Sequence, residues 1–391
     1  MASHADMQDL DRVLNIALVA GESSGDQLAA ELLKGAHAAY GSVNAVGIAG
    51  DAMVAQGVDP WWSSQSLAVR GYFEPIKHLP RILKMRSELI ARLSSTARPD
   101  VFVGIDAPDF NLGVETRLRD NGIKTMHYVS PSIWAWRAKR IEKIRRAADH
   151  VLLIFPFEQD IYTAANIPAT YVGHPFAAHI PMQAKPQAAR QALHIDEHKT
   201  TVALLPGSRS SEIDYNAPAF FQAAVLLEQQ LGVVQFILPV AHAALKDKIQ
   251  AMRQQFAPNI ELRVFDGQAR SVMEAADAVL VASGTASLEV ALYKKPMVIS
   301  YQTSKVSAWL YPKFALLPWI GLPNILLNES FIPEVLQDDA TPQGLASALL
   351  NEIDRYAQDV TVNERLIDMH LSLIRDTPTL CAQAIAQVVD R

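Results

Sequence analysis

Two carboxylates, Asp106 and Asp109, follow directly on the apolar run Val101-Phe102-Val103-Gly104-Ile105. Such a run reads as a strand covered on both faces, as in a parallel sheet. Pro108 removes a backbone donor, so the strand cannot continue as a central one. Open parallel α/β sheets bind ligands beyond the carboxyl ends of their strands. Asp106, on the last residue of the strand, is therefore the candidate for catalysis, while Asp109 reads as the N-cap of the helix that follows. In the second half, Leu204-Leu205-Pro206-Gly207-Ser208-Arg209 is a strand running into a glycine turn with an arginine at its edge. Free N–H groups and a guanidinium together can cradle phosphate oxygens.

A second loop of this kind, Ser283-Gly284-Thr285-Ala286-Ser287-Leu288-Glu289, also follows a strand pattern. Its small residues open a helix whose N-terminus favours an anion, and Glu289, one turn inside, can accept hydrogen bonds from ribose hydroxyls. Alone, each loop is explained by ordinary capping. Two of them at strand ends of one domain favour a nucleoside diphosphate. The sequence has no Gly-x-x-x-x-Gly-Lys-Ser/Thr, no His-Glu-x-x-His, no paired cysteines and no Asp-x-Asp after a strand. P-loop and zinc chemistry are thus not expected, nor a dedicated metal for the diphosphate. Arg209 and a helix dipole would carry its charge, with no cofactor.

The elements that must position these residues alternate strand and helix. Asn15 to Ala20 is a short strand followed by Gly21-Glu22-Ser23-Ser24-Gly25-Asp26, with a helical pattern from Gln27. This is the entry unit of a nucleotide-type domain, though its spacing is not Gly-x-Gly-x-x-Gly. It places Glu22 and Asp26 at the same sheet edge as Asp106. Strands at 45–49, 124–129, 151–155 and 169–172 continue the pattern. The last closes on Gly173-His174-Pro175, where His174 is either a proton shuttle or a loop hydrogen-bonder. The polar stretch Ala184 to Arg190 reads as a boundary, and strands at 201–205, 234–239, 261–265, 278–282 and 296–300 follow it. The expectation is an α/β chain of two Rossmann-like domains facing a cleft, 1–183 and 184–355, the second holding the nucleotide, followed by a helical tail, 356–391.

The chain has 391 residues, half of them hydrophobic and 19% charged, with a formal charge of −6. This is a globular composition, and the charge argues against a general nucleic-acid binder. The average hides two basic stretches, Arg70 to Arg92 and Trp134 to His150, each with six Lys or Arg against two acids. They suit anionic ligands or an anionic lipid surface. The single cysteine, Cys381, allows no internal disulfide. The N-terminus lacks the order of a signal peptide, and no apolar run is long enough to span a bilayer. The expectation is a cytoplasmic protein, on a membrane or free of it but not through it. Val69, Tyr72, Phe73, Ile76, Leu79, Ile82 and Leu83 recur at near-helical spacing among the cations of the first basic stretch, with Pro80 starting a new helix. On pattern alone this is an amphipathic helix packed on the sheet; the other reading is a surface lying in lipid headgroups.

Several motifs carry a resemblance. Gly-Glu-Ser-Ser-Gly-Asp at 21–26, Gly-Ile-Asp-Ala-Pro-Asp-Phe-Asn at 104–111, Tyr-Val-Ser-Pro-Ser-Ile-Trp-Ala-Trp-Arg at 128–137, Val-Gly-His-Pro at 172–175, Leu-Pro-Gly-Ser-Arg at 205–209, Ala-Ser-Gly-Thr-Ala at 282–286 and Leu-Pro-Asn at 322–324 resemble the lipid-A-disaccharide synthases, in order and over nearly the whole chain. The resemblance implies a GT-B type glycosyltransferase, peripheral on the cytoplasmic face of the inner membrane of a Gram-negative bacterium. Its reaction would join UDP-2,3-diacylglucosamine to 2,3-diacylglucosamine 1-phosphate with inversion. It makes Asp106 the base and assigns Arg209 to the diphosphate. Gly207, Ser208, Ser283, Gly284, Thr285, Glu289 and Asn324 fall to UDP, and Glu22, Ser24 and Asp109 to the acceptor side. Ser210-Ser211-Glu212 departs from the expected pattern after Arg209. The resemblance also favours the docking reading of Val69 to Leu83, gives residues 1–183 the acceptor and the membrane side and 184–355 the UDP-sugar, and implies a homodimer, with the tail 356–391 packed on the first domain or exchanged between protomers. A soluble enzyme like UDP-N-acetylglucosamine 2-epimerase, or a non-catalytic nucleotide-binding module on membranes, are the alternatives.

Overall fold

A computed structural model of the chain describes residues 13–67, 74–135, 138–241, 243–304 and 316–390. It divides into two compact units, Met1–Pro175 with Leu373–Arg391, and Phe176–Ser372. The first unit holds β1 (Val13–Ala20), β2 (Ser42–Ala49), β3 (Asp59–Ser63), β4 (Val101–Ile105), β5 (Lys124–Tyr128), β6 (His150–Leu153) and β7 (Ala169–Tyr171). They form one parallel sheet in the order β3-β2-β1-β4-β5-β6-β7. The second holds β8 (Thr200–Leu205), β9 (Val234–Val240), β10 (Leu262–Asp266), β11 (Ala278–Ala282), β12 (Met297–Tyr301) and β13 (Glu334–Leu336), parallel in the order β10-β9-β8-β11-β12-β13. Both are α/β units of the Rossmann type.

The central strands β4 and β11 are buried along their whole length, as expected of strands covered by helices on both faces. In each sheet the chain winds outward from one strand, then returns to its other side and winds the opposite way. That reversal lies between β1 and β4 in the first unit and between β8 and β11 in the second. Neighbouring loops diverge there and leave a crevice at the strand ends.

The first unit is completed by the C-terminal helix Thr377–Val389. Thr377 Oγ1 donates to Val172 O at 2.7 Å, and Cys381 is fully buried. The second unit begins before the polar stretch that reads as a boundary. There the helix Pro186–Ala192 carries Arg190, whose buried guanidinium reaches Ala275 O, Glu197 O and Asp277.

One sequence expectation changes in the basic-apolar stretch. Helix Glu74–Ser94 runs straight through Pro80 and does not restart there. The proline removes one backbone bond near the helix start, and Met85, Leu89 and Leu93, buried against Phe102, hold the rest in place. Val69, Tyr72 and Phe73 lie outside the described residues, and Ile76 and Leu79 are helical. Leu83 is exposed, whereas Ile82 packs against the core. Among the described residues no helix is long and apolar enough to cross a membrane.

Candidate active site

In the first unit, Asp106 sits one residue beyond β4, not on its last residue, and is exposed. Its φ is +50° and that of Ala107 is +44°. Aspartate tolerates this left-handed region, while alanine there costs about 1 kcal/mol. At the end of the adjacent β5, Val129 has φ +75°, which for a β-branched residue is a true outlier. Strain of this kind persists only where the surroundings enforce it, and it clusters at functional sites. Here the enforcement is visible. Asp106 N–H donates to Tyr128 O at 2.8 Å. The fully buried Asn111 donates through Nδ2 to Asp106 O at 2.8 Å and to Ile105 O at 3.2 Å. Asp106 thus stands at the crevice between β1 and β4 on a turn fixed from below.

Glu22, at the end of β1, is the N-cap of helix Ser23–Tyr40 without a side-chain cap bond; it and Ser24 are exposed. The helix opens four residues earlier than its apolar pattern suggests, which puts Asp26 inside it. Asp26 has no part at the open edge. It is buried, and its carboxylate accepts from the N–H groups of Gly50, Ala52 and Met53 at 2.8, 2.8 and 3.2 Å, holding the short helix Asp51–Val54. Asp109 is not the N-cap either. The chain enters helix Pro108–Asp120 through the left-handed Ala107, so Asp109 falls in the first turn, where Arg140 donates to it at 2.8 Å. His174 is buried and its ring stacks on Phe155 at 5.3 Å. Burial lowers its pKa to about 3, which favours the neutral ring near pH 7.

In the second unit, the loops after β8 and β11 lie side by side because those strands pair. Gly207 has φ +129°, and a Cβ there would stand 2.4 Å from Glu212 Cβ, so only glycine fits. Arg209 caps helix Ser210–Leu231, with a side chain 79% exposed. The N–H groups of Ser208 and Arg209 are engaged by Glu212 Oε2 at 2.9 and 3.2 Å. Glu212, at the end of the stretch that departs from the expected pattern, is therefore the internal anion of this turn. Lys248 closes the same end through Ser210 O, Ser210 Oγ and Asp214.

After β11, Gly284 caps helix Thr285–Leu292, and Gly284 and Thr285 are exposed. Ser283 Oγ donates to Ile320 O at 3.1 Å. Glu289 is half-buried, and its Oε2 accepts from Arg270 Nε at 3.1 Å. Burial raises its pKa, with Arg270 opposing. Asn324 differs from its expected role. It is fully buried, donating to Ile332 O and Glu334 and accepting from Phe331 N and Ile332 N. Both donors and both lone pairs are committed, so the side chain has nothing left for a nucleotide. With Glu334, which accepts from Ile320 N and Gly321 N, it shapes the loop beside Ser283. Among the described residues no cluster of His, Cys, Asp or Glu could hold a metal ion.

Sequence reading missed Asn111, Glu212 and Glu334. The first two carry a local signal, since Asn111 lies one helical turn past the Asp106 corner and Glu212 stands at the capping-box distance from Arg209. Glu334 has none, being on an edge strand remote in sequence.

A family model described as lipid-A-disaccharide synthetase matches residues 16–387. The chain belongs to this family. The lipid-A-disaccharide synthase of Burkholderia thailandensis is 46% identical over 378 residues, covering 96% of this chain and 97% of that protein. That of Verminephrobacter eiseniae is 46% identical over 381 residues, with the same coverage. Solved structures share the fold at low identity. Arabidopsis thaliana UGT89C1 complexed with UDP has a TM-score of 0.60 at 12% identity, over 96% of this chain and 100% of that one. UDP-GlcNAc 2-epimerase from Neisseria meningitidis bound to UDP-GlcNAc has 0.58 at 10%, over 97% and 99%. The architecture is that of GT-B glycosyltransferases. As a member of the lipid-A-disaccharide synthase family the chain is a glycosyltransferase, and the readings as an epimerase or a non-catalytic module fall away.

Proposed function

We propose that the chain joins UDP-2,3-diacylglucosamine to 2,3-diacylglucosamine 1-phosphate, giving the β-1,6-linked lipid A disaccharide 1-phosphate and UDP. Family membership over residues 16–387 is the observation that carries this reading. Asp106 takes the proton of the acceptor's 6-hydroxyl as that oxygen attacks the anomeric carbon of the donor. The bond from that carbon to the diphosphate oxygen breaks on the opposite side, so the configuration inverts and UDP leaves with the electron pair. Arg209 and the N-terminus of helix Thr285–Leu292 stabilise the charge that develops on UDP. Gly207, Ser208, Ser283, Gly284 and Thr285 shape the donor side, with Glu289 near the ribose. Glu22, Ser24 and Asp109 serve the acceptor side. Asn324 acts on the donor only through the loop it holds.

Acylated substrates reside in a bilayer. The Arg70 to Arg92 stretch, with Leu83 exposed among its cations, serves as the docking surface on the cytoplasmic face of the inner membrane, and the working form is a homodimer. The deciding experiment supplies the two acylated glucosamine substrates and follows UDP. Release that requires both supports the transfer; release from the donor alone overturns it. Co-sedimentation with anionic vesicles tests the docking surface, and light scattering tests the dimer.

A further inference from the structure

Three polar side chains lie wholly inside the core beneath the Asp106 turn. Asn111 and Glu115 stand one turn apart on helix Pro108–Asp120, and His127 is on β5, all at 0% exposure. Glu115 Oε1 meets His127 Nδ1 at 2.7 Å. The same oxygen lies against Gly104 of β4, where an added Cβ would be 2.1 Å from it, and Gly104 is the register partner of His127. A side chain at 104 would thus expel the carboxyl from its seat. Around the group the core is apolar, with Phe102, Val114 and Leu118 fully buried.

As a stabilising device this pair is poor. Among the described residues Glu115 Oε2, His127 Nε2 and Asn111 Oδ1, all buried, find no hydrogen-bond partner, and unpaired buried polar atoms are costly. Burial pushes the Glu115 carboxyl above its ordinary range, with His127 opposing. Replacing a buried pair with apolar residues is often neutral or stabilising. What the pair does supply is direction. Apolar contacts let a helix slide or rotate slightly, whereas a short hydrogen bond between helix and strand fixes one register.

We infer that Glu115 and His127 are a buried positioning pair, which locks helix Pro108–Asp120 to β5 so that Asn111 holds the Asp106 turn at its reactive angle. The turn is gripped by Asn111 on the helix and by Tyr128 O at the end of β5, and the pair is the polar link between those two elements next to it. This rests on Asp106 as the base. An error of about 1 Å in such a group costs on the order of a hundredfold in rate.

The test is the apolar double replacement Glu115→Leu/His127→Leu, compared with Glu115→Gln, which keeps a hydrogen bond to His127. The double variant is expected to melt at or above the wild-type temperature, with kcat lower by about tenfold or more and both KM values within about twofold. Glu115→Gln is expected to recover kcat to within about threefold of wild type. A folded double variant with wild-type kcat overturns the inference, as does a loss seen only in KM. Should the double variant not fold, His127→Phe keeps the volume and removes the bond, and the same two outcomes decide. Asp106→Asn runs alongside: if it retains full activity, the assignment of the base fails, and not the pair.

Discussion

The carboxylate of Glu212 wraps the turn that carries Arg209. Its Oε2 accepts from Arg209 N–H at 3.2 Å, while its Oε1 faces the Arg209 guanidinium at 3.1 Å. Two backbone donors suited to a phosphate are thereby engaged from within the chain, and the turn is formed before any ligand arrives. In the proposed transfer, contact with the diphosphate falls to the exposed guanidinium and to the neighbouring helix start at Gly284 and Thr285. Such preorganisation lowers the ordering cost of binding an anion.

Arg209→Ala is therefore expected to lower kcat by about a hundred- to a thousandfold, the range seen when one donor to a developing negative charge is removed. Lysine keeps the charge but loses the planar fork, so Arg209→Lys should recover only part of that loss. Steady-state UDP release with both substrates measures it. Equal activity in Arg209→Lys and wild type would show that a point charge suffices.

Asp106→Asn is the cleaner test of the base, because asparagine also accepts the left-handed conformation at φ +50°. The fold should be unchanged, and kcat should fall by about a hundred- to ten-thousandfold. Alanine at the same place would confound lost chemistry with backbone strain. A melting temperature equal to wild type together with full turnover in Asp106→Asn would place the base elsewhere.

Most strands were legible from sequence because strands covered on both faces are unbroken apolar runs. The two that were not, β3 and β13, are edge strands. Asp-Pro-Trp-Trp-Ser is half-exposed and contains a proline, and Glu-Val-Leu is three residues long. The glycine turns after β8 and β11 were also readable, since their geometry is local, but not that Glu212 takes the N–H groups of the first. The partners of side chains were not. Asp26 looks identical in sequence whether it faces a cleft or caps a helix 24 residues later. Asn324 in Leu-Pro-Asn gives no sign that Ile332 and Glu334 consume its amide. Arg190 sits in a polar stretch typical of a linker, yet its guanidinium is buried against Asp277. Such roles depend on distant backbone, which pattern and propensity do not encode.

Asp26→Ala follows from that correction. Its loss leaves three N–H groups of a half-buried helix start without the carboxylate, two of them formerly bonded to it at 2.8 Å. Charge-assisted bonds of this kind contribute about 1.5–3 kcal/mol each before compensation by water, so a fall of about 3 kcal/mol in unfolding free energy is expected. Urea denaturation reads it. KM values for both substrates should stay near wild type in the folded fraction, whereas a change confined to KM would return Asp26 to the substrate side.

Glu158 supplies the last prediction. It is 1% exposed, with Trp134 Nε1–H donating at 3.0 Å and Phe155 N–H at 3.1 Å. Trp134 in turn packs edge-on against Phe155 and Phe157, and the hydroxyls of Ser130 and Tyr162 are bonded to each other at 2.8 Å. Tyr171 lies within electrostatic reach, and His174, stacked on Phe155, is neutral. Burial raises the Glu158 pKa to about 7, with the hydrogen bonds from Trp134 and the backbone opposing. The unfolded chain ionises this group near 4.5, so between about pH 4.5 and 7 the folded state binds the extra proton. Stability from this group is then full below pH 4.5 and falls as pH rises to 7, by on the order of 3 kcal/mol. Glu158→Gln cannot ionise, so its unfolding free energy should lose that slope and exceed wild type most clearly above pH 7. Parallel wild-type and Glu158→Gln stability curves from pH 4.5 to 8 would mean that the carboxyl is hydrated and ionises as an ordinary surface glutamate.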